Sequence, residues 1–102
     1  MDEWLFQRSV ARVEASVEKL LAEYATSYVG RPVKRRTVRP PHPRPGVVWS
    51  IDGEIVVQFI HRRSGADQIV VHDIALLEEL RRCFRRRHVE VAHISAHESL
   101  GT

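Results

Sequence analysis

Five arginines crowd seven positions late in the chain: Arg81, Arg82, Arg85, Arg86 and Arg87. On a helix, Arg81, Arg82, Arg85 and Arg86 fall at i, i+1, i+4 and i+5 and make one broad stripe. Such a row can hold several phosphates, with the two-pronged geometry that lysine lacks. A second basic block is GRPVKRRTVRPPHPRPG, from Gly30 to Gly46, with six basic residues, no acid and all five prolines of the chain. Its Lys34, Arg35, Arg36 and Arg39 suit the same chemistry, contact with the backbone of a polyanion. Each block also has a plainer reading. The stripe can be a solvated helix end stabilised by the dipole, and the Pro-rich stretch a stiff linker. Their presence together favours nucleic acid.

Other residue types offer less. Cys83, His88, His93 and His97 are spaced 5, 5 and 4 apart, but alternation over 88–94 reads as strand and parts them, so no metal site is expected. His61 and His72 can meet across neighbouring strands as a pH-sensitive pair. No nucleophile motif, Gly-rich phosphate loop or carboxylate pair stands out, so neither catalysis nor a cofactor is expected. Trp4 lies at the free end of the first helix, where it can pack or can stack on a base or a partner.

Composition sets the frame for these groups. The chain has 102 residues, 43% of them hydrophobic, enough for one domain with a modest core. No apolar run is long enough for a membrane span. The acidic start, Met1-Asp2-Glu3-Trp4, lacks the apolar core of a signal peptide. One cysteine excludes an internal disulfide and fits a reducing, intracellular compartment, cytoplasmic or nuclear. The net charge of +3 is unevenly spread: −2 over residues 1–29, +6 over 30–46 and −1 over 47–102.

Three segments must position the charges. Residues 1–29 read as an amphipathic helix that stops before Gly30 and Pro32. Its apolar positions Phe6, Val10, Val13, Val17, Leu20 and Tyr24 are spaced 4, 3, 4, 3, 4, a heptad-like seam. That seam fits packing onto a sheet of its own chain or pairing with a second copy or another protein. Residues 30–46 read as an exposed basic arm with polyproline-II character. Residues 47–102 read as a small α+β domain ending in a frayed tail. Asp52-Gly53 marks a type I′ hairpin between VVWSI and EIVVQFI, and QIVVH makes a third strand. Asp73 caps a helix, and HVEVAHI makes a fourth strand. The expected fold is therefore α+β: helix, basic arm, then β-β-β-α-β with an antiparallel sheet.

The hairpin raises a question of cover. Counting from the Asp52-Gly53 turn puts Val48, Ser50, Ile55, Val57 and Phe59 on one face and Val47, Trp49, Ile51, Val56 and Ile60 on the other. Both faces are apolar, whereas a sheet with one wet face should alternate. One helix for each face, or a partner on one of them, would satisfy both, so a homodimer or dedicated partner is expected. The functional expectation is a dimeric, non-enzymatic nucleic-acid-binding module that grips duplex RNA or DNA through the stripe and the arm. Few aromatics are available to stack bases, which favours duplexes over single strands. The alternative is a protein-interaction, adaptor or inhibitor module with an acidic partner, a make-up shared by small viral and phage accessory proteins.

Overall fold

The computed structural model describes residues 2–23, 30–62, 65–85 and 89–94. Helix α1 (Asp2–Glu23) is followed by β1 (Val33–Val38), β2 (Gly46–Ile51), β3 (Glu54–Ile60) and β4 (Asp67–Val71). A 3-10 turn (Ile74–Leu76) leads into the short helix α2 (Leu77–Cys83), and β5 (Val89–His93) completes the fold. The architecture is α+β: one five-stranded sheet in the order β1-β2-β3-β4-β5, with two helices.

Three features depart from the expected layout. The first half of the arm is a strand. Residues 33–38 pair antiparallel with β2, from Val33 opposite Ile51 to Val38 opposite Gly46. Pro32 and Pro40 bracket a proline-free stretch, and Val33, Thr37 and Val38 are good strand formers, so the segment serves as an edge strand. The sheet is also mixed rather than antiparallel, because β5 runs parallel to β4. The α2 crossover between them is what allows a parallel pair.

The third departure is the register of β2 and β3. The turn is as expected, with positive φ at both Asp52 (53°) and Gly53 (81°), as a type I′ turn requires. A bulge between Trp49 and Ser50 then shifts the pairing by one residue. Beyond it Trp49 faces Val57 and Val47 faces Phe59. The extra residue reverses the side on which every later β3 side chain lies. The large apolar residues consequently gather on one face.

That face carries both helices. Val47, Trp49, Val57, Phe59, Ile69 and Val71 form one buried cluster with α1's Phe6, Val10, Val13, Val17, Leu20 and Leu21. Leu76, Leu80 and Phe84 join the same cluster, and Val89 and Val91 pack against it. The expected division of one helix per face is not what forms. By register the opposite face presents Lys34, Arg36, Val48, Gln58, Ile60, Gln68 and Val70. Lys34 and Arg36 are exposed there, whereas Val70 (0% exposed) and Gln58 (8%) are buried although no described helix lies over them.

The seam of α1 therefore packs in cis: Phe6, Val13 and Val17 are each no more than 1% exposed, which leaves them unavailable to a second copy. Tyr24 lies outside the described residues. Asp73 caps the 3-10 turn that leads into α2 rather than α2 itself: its Oδ1 accepts from the Ala75 N–H at 2.9 Å.

Candidate anion-binding site

The two basic blocks do not assemble into one site. β1 and β5 are opposite edges of the sheet, about 19 Å apart at the usual strand spacing. Lys34, Arg35 and Arg36 belong to β1 and Arg39 directly follows it, whereas α2 connects β4 to β5 at the far side. Arg81 pairs with Glu78 at 3.5 Å and Arg82 with Glu79 at 3.3 Å, each one helical turn back. Arg85 is exposed just beyond the C-terminus of α2, and Arg86 lies outside the described residues.

The arm cations are also divided. Alternation along β1 sends Arg35 to the helix side, in register with Trp49. There it meets Glu14 at 2.5 Å and Glu18 at 3.5 Å. Glu18 also accepts from the Trp49 indole N–H at 3.4 Å. Glu14 and Glu18 are one turn apart on α1 and so share a flank. Arg39 is bound by Glu3 at 2.6 Å, near the start of the same helix. Exposed pairs of this kind are each worth about 0–1 kcal/mol, and they orient β1 against α1. Lys34 and Arg36 turn to the opposite face and are exposed.

A broad concavity lies elsewhere, where the N-terminal half of α1, the Pro-rich loop and the end of β3 converge. It encloses about 1250 Å³. From α1 come Leu5, Arg8, Ser9 and Arg12, spaced i, i+3, i+4 and i+7 along one stripe. From the loop come residues 40–45, with His42 and Arg44. From β3 and the turn after it come Ile60, His61 and Arg62, and Gln68 of β4 closes the wall. Among the described residues, four arginines and two histidines line the basin, and no Asp or Glu does.

Hydrogen bonds fix the loop that forms one wall. The Pro40–Pro41 peptide is cis. The Arg39 carbonyl accepts from the His42 N–H at 3.2 Å, and His42 Nδ1 accepts from the Arg44 N–H at 3.0 Å. The Pro45 carbonyl accepts from the His61 N–H at 2.9 Å. His61 stands with its ring edge toward Phe6, 6.0 Å between centroids, and its Nδ1 lies 2.9 Å from Asp67 Oδ1. Arg62 reaches Glu90 at 3.4 Å. Arg8, Arg12 and Arg44 supply the other cations of the lining.

A smaller hollow of about 360 Å³ adjoins the basin and shares His42, Pro43, Arg44 and Ile60 with it. It carries the basic lining to Arg36 on the opposite face of the sheet, again with no acidic residue among the described residues. Of the arm residues singled out from sequence, Arg36 alone reaches this surface, with Lys34 two residues along the same side of β1.

The histidines do not form the expected pair. His61 turns to Phe6 and Asp67, while His72 Nε2 lies 3.0 Å from Gln58 Oε1. Burial, then the neighbouring His93, hold the His72 imidazole below its ordinary pKa of 6.5, against an opposing hydrogen bond with the Ile94 backbone. Among the described residues, no three His, Cys, Asp or Glu side chains are placed to hold a metal ion. His88 and His97 lie outside those residues.

Arg8 and Arg12 escaped the sequence reading because residues 1–29 sum to −2, which hides two arginines on one flank, and Arg62 escaped it as well; His42 and Arg44 were read only as part of the basic block and His61 only as a partner for His72. The legible signal was the i, i+4, i+8 spacing of Trp4, Arg8 and Arg12. No described helix is long and apolar enough to cross a membrane. Comparison with family models, curated proteins and solved structures finds no match.

Proposed function

We propose that this protein is a non-enzymatic nucleic-acid-binding module that holds a phosphate backbone in the basin and along the adjoining edge of the sheet. Arg8, Arg12 and Arg44 neutralise phosphates inside the basin, and Arg36 and Lys34 extend the track onto the opposite face of the sheet. The observation that carries the reading is the lining itself: four arginines converge from three elements, and among the described residues no carboxylate is part of that lining. Concave surfaces of one sign focus the field and draw in a polyanion. Contacts to phosphate position a ligand without reading its bases. His42 and His61 support binding over proton transfer, since each is engaged in holding the walls of the basin.

The test is fluorescence anisotropy with labelled nucleic acid at two salt concentrations. Arg8/Arg12/Arg44→Ala should weaken binding at least tenfold and flatten the salt dependence, by about 0.7–0.9 in log–log slope for each phosphate no longer neutralised. Arg81/Arg82/Arg85→Ala should leave both nearly unchanged. The reverse ranking, or no binding at low salt, refutes the assignment.

A second reading is favoured by a different feature. β1 pairs only with β2 among the described strands and presents Lys34 and Arg36, with Val33 39% exposed. Cations on an edge oppose pairing with a second copy of the same strand. They suit an extended acidic segment of a partner protein, added as another strand. Protection of β1 amides from hydrogen exchange by such a partner, with the basin variant unaffected, would favour this reading. A homodimer would have to use a surface other than the seam of α1, which is buried.

A further inference from the structure

We infer that the basin takes single-stranded nucleic acid, with Trp4 as the platform on which one base stacks; this rests on the proposed phosphate grip. Trp4 is 62% exposed, the most exposed aromatic side chain among the described residues. Burying an indole against protein is the usual way to satisfy its large apolar surface, and this chain does that with Trp49, which is 1% exposed. Trp4 remains outside the core, one helical turn before Arg8, whose guanidinium lies 5.4 Å from the centre of the indole ring. Arg8 is part of the basin wall, and Arg12 follows one turn later. The flank of α1 thus presents aromatic, cation, cation at i, i+4 and i+8.

A strand of nucleic acid offers a flat base followed by a phosphate, and this order matches that flank. Exposed aromatic rings beside a basic groove are the usual device for unpaired strands. Two further features weigh against a duplex. Its bases are already stacked and would leave Trp4 unused. The cations also sit within a concavity rather than along a convex ridge, and a flexible single strand enters a concavity more readily than a rigid rod. Leu5, 46% exposed beside Trp4 on the basin side, widens the apolar platform. Stacking tolerates any base, so binding is expected to be largely independent of sequence.

The experiment titrates the full chain with a short oligothymidylate, a duplex of equal length and heparin, reading anisotropy and intrinsic fluorescence. The single strand should bind more tightly than the duplex and quench tryptophan emission. Trp4→Phe leaves Trp49 as the remaining fluorophore, and the quenching should vanish. Trp4→Ala should weaken oligothymidylate binding by roughly fivefold to a hundredfold and leave heparin binding within twofold. Circular dichroism checks that the variant folds, as expected for a residue outside the core. The inference is overturned if the duplex binds as tightly as the single strand, or if Trp4→Ala affects heparin and oligothymidylate equally. It is also overturned if Trp4→Ala affects neither. In each of these cases, continued sensitivity to Arg8/Arg12→Ala would keep the phosphate grip. Insensitivity of all three ligands to Arg8/Arg12→Ala would remove the grip as well.

Discussion

Gly46 ties the fold to the site, and replacing it gives a quantitative test of both. It opens β2 directly after the Pro-rich loop, opposite Val38 of β1 and Ile60 of β3. A Cβ at this position would fall 1.9 Å from the Phe59 carbonyl oxygen, 3.0 Å from its carbon and 3.3 Å from Ile60 Cα. All three are main-chain atoms, so no change of rotamer relieves the overlap. Ordinary contact requires a separation of about 1.5 Å more. Overpacking of this kind costs about 1–3 kcal/mol, and opening the end of the ladder forfeits about 1 kcal/mol per hydrogen bond. Gly46→Ala should therefore lose roughly 2–4 kcal/mol, a fall in Tm of about 10–25 °C for a domain of this size. The assay is thermal and urea unfolding followed by circular dichroism and by the buried Trp49. Gly53→Ala is the control: φ is +81° but nothing lies within 4 Å of the added carbon, so only left-handed strain of about 1–2 kcal/mol applies. Arg44 lies two residues before Gly46, so Gly46→Ala should also weaken anion binding, whereas Gly53→Ala should not. A Gly46→Ala protein as stable as Gly53→Ala would refute the close approach of β2 to β3 at this end.

Leu20→Ala should cost about 2–4 kcal/mol, because a seam residue 3% exposed leaves a cavity against the sheet; if α1 packs in cis, the Tm of the unmodified protein should not change on strong dilution. His72 makes stability depend on pH. Its folded pKa is held below 6.5, chiefly by burial, so its contribution is complete above that value and is lost as pH falls through the folded pKa. The slope cannot exceed about 1.4 kcal/mol per pH unit for one group. His72→Gln should flatten the acid limb of a urea-midpoint profile, and an unchanged limb would remove His72 as its source.

The local devices of this chain are legible in its sequence, and the errors arise where two segments meet. Asp52-Gly53 reads as a type I′ turn because only such residues accept two positive φ values, and the turn forms. Asp73 reads as a cap, and it caps. The heptad spacing of α1 reads as a buried stripe without saying what buries it. The answer depends on a bulge after Trp49 that no composition rule marks. That single extra residue moves Val57 and Phe59 onto the side of Val47 and Trp49, concentrates the apolar surface, and calls both helices to one face. Phe84, far along the chain, then shares a core with Phe6.

Charge shows the same limit at the level of function. Read along the chain, residues 30–46 are a cationic block and residues 1–29 are mildly acidic. Folding pairs the two: Glu3, Glu14 and Glu18 of α1 meet Arg39 and Arg35. The cations that looked most available are thereby partly neutralised in place. Arg8 and Arg12, hidden in a segment of net negative charge, join Arg44 around a basin whose described lining holds no carboxylate. Attraction for a polyanion follows the charges that converge in space within a Debye length of about 10 Å, rather than those adjacent in sequence. The strand-forming residues between Pro32 and Pro40 decide this outcome. By docking residues 33–38 on β2, they hold Arg35 against the acids of α1, leave Lys34 and Arg36 on the other face, and bring the loop with His42 and Arg44 back to the first turns of α1.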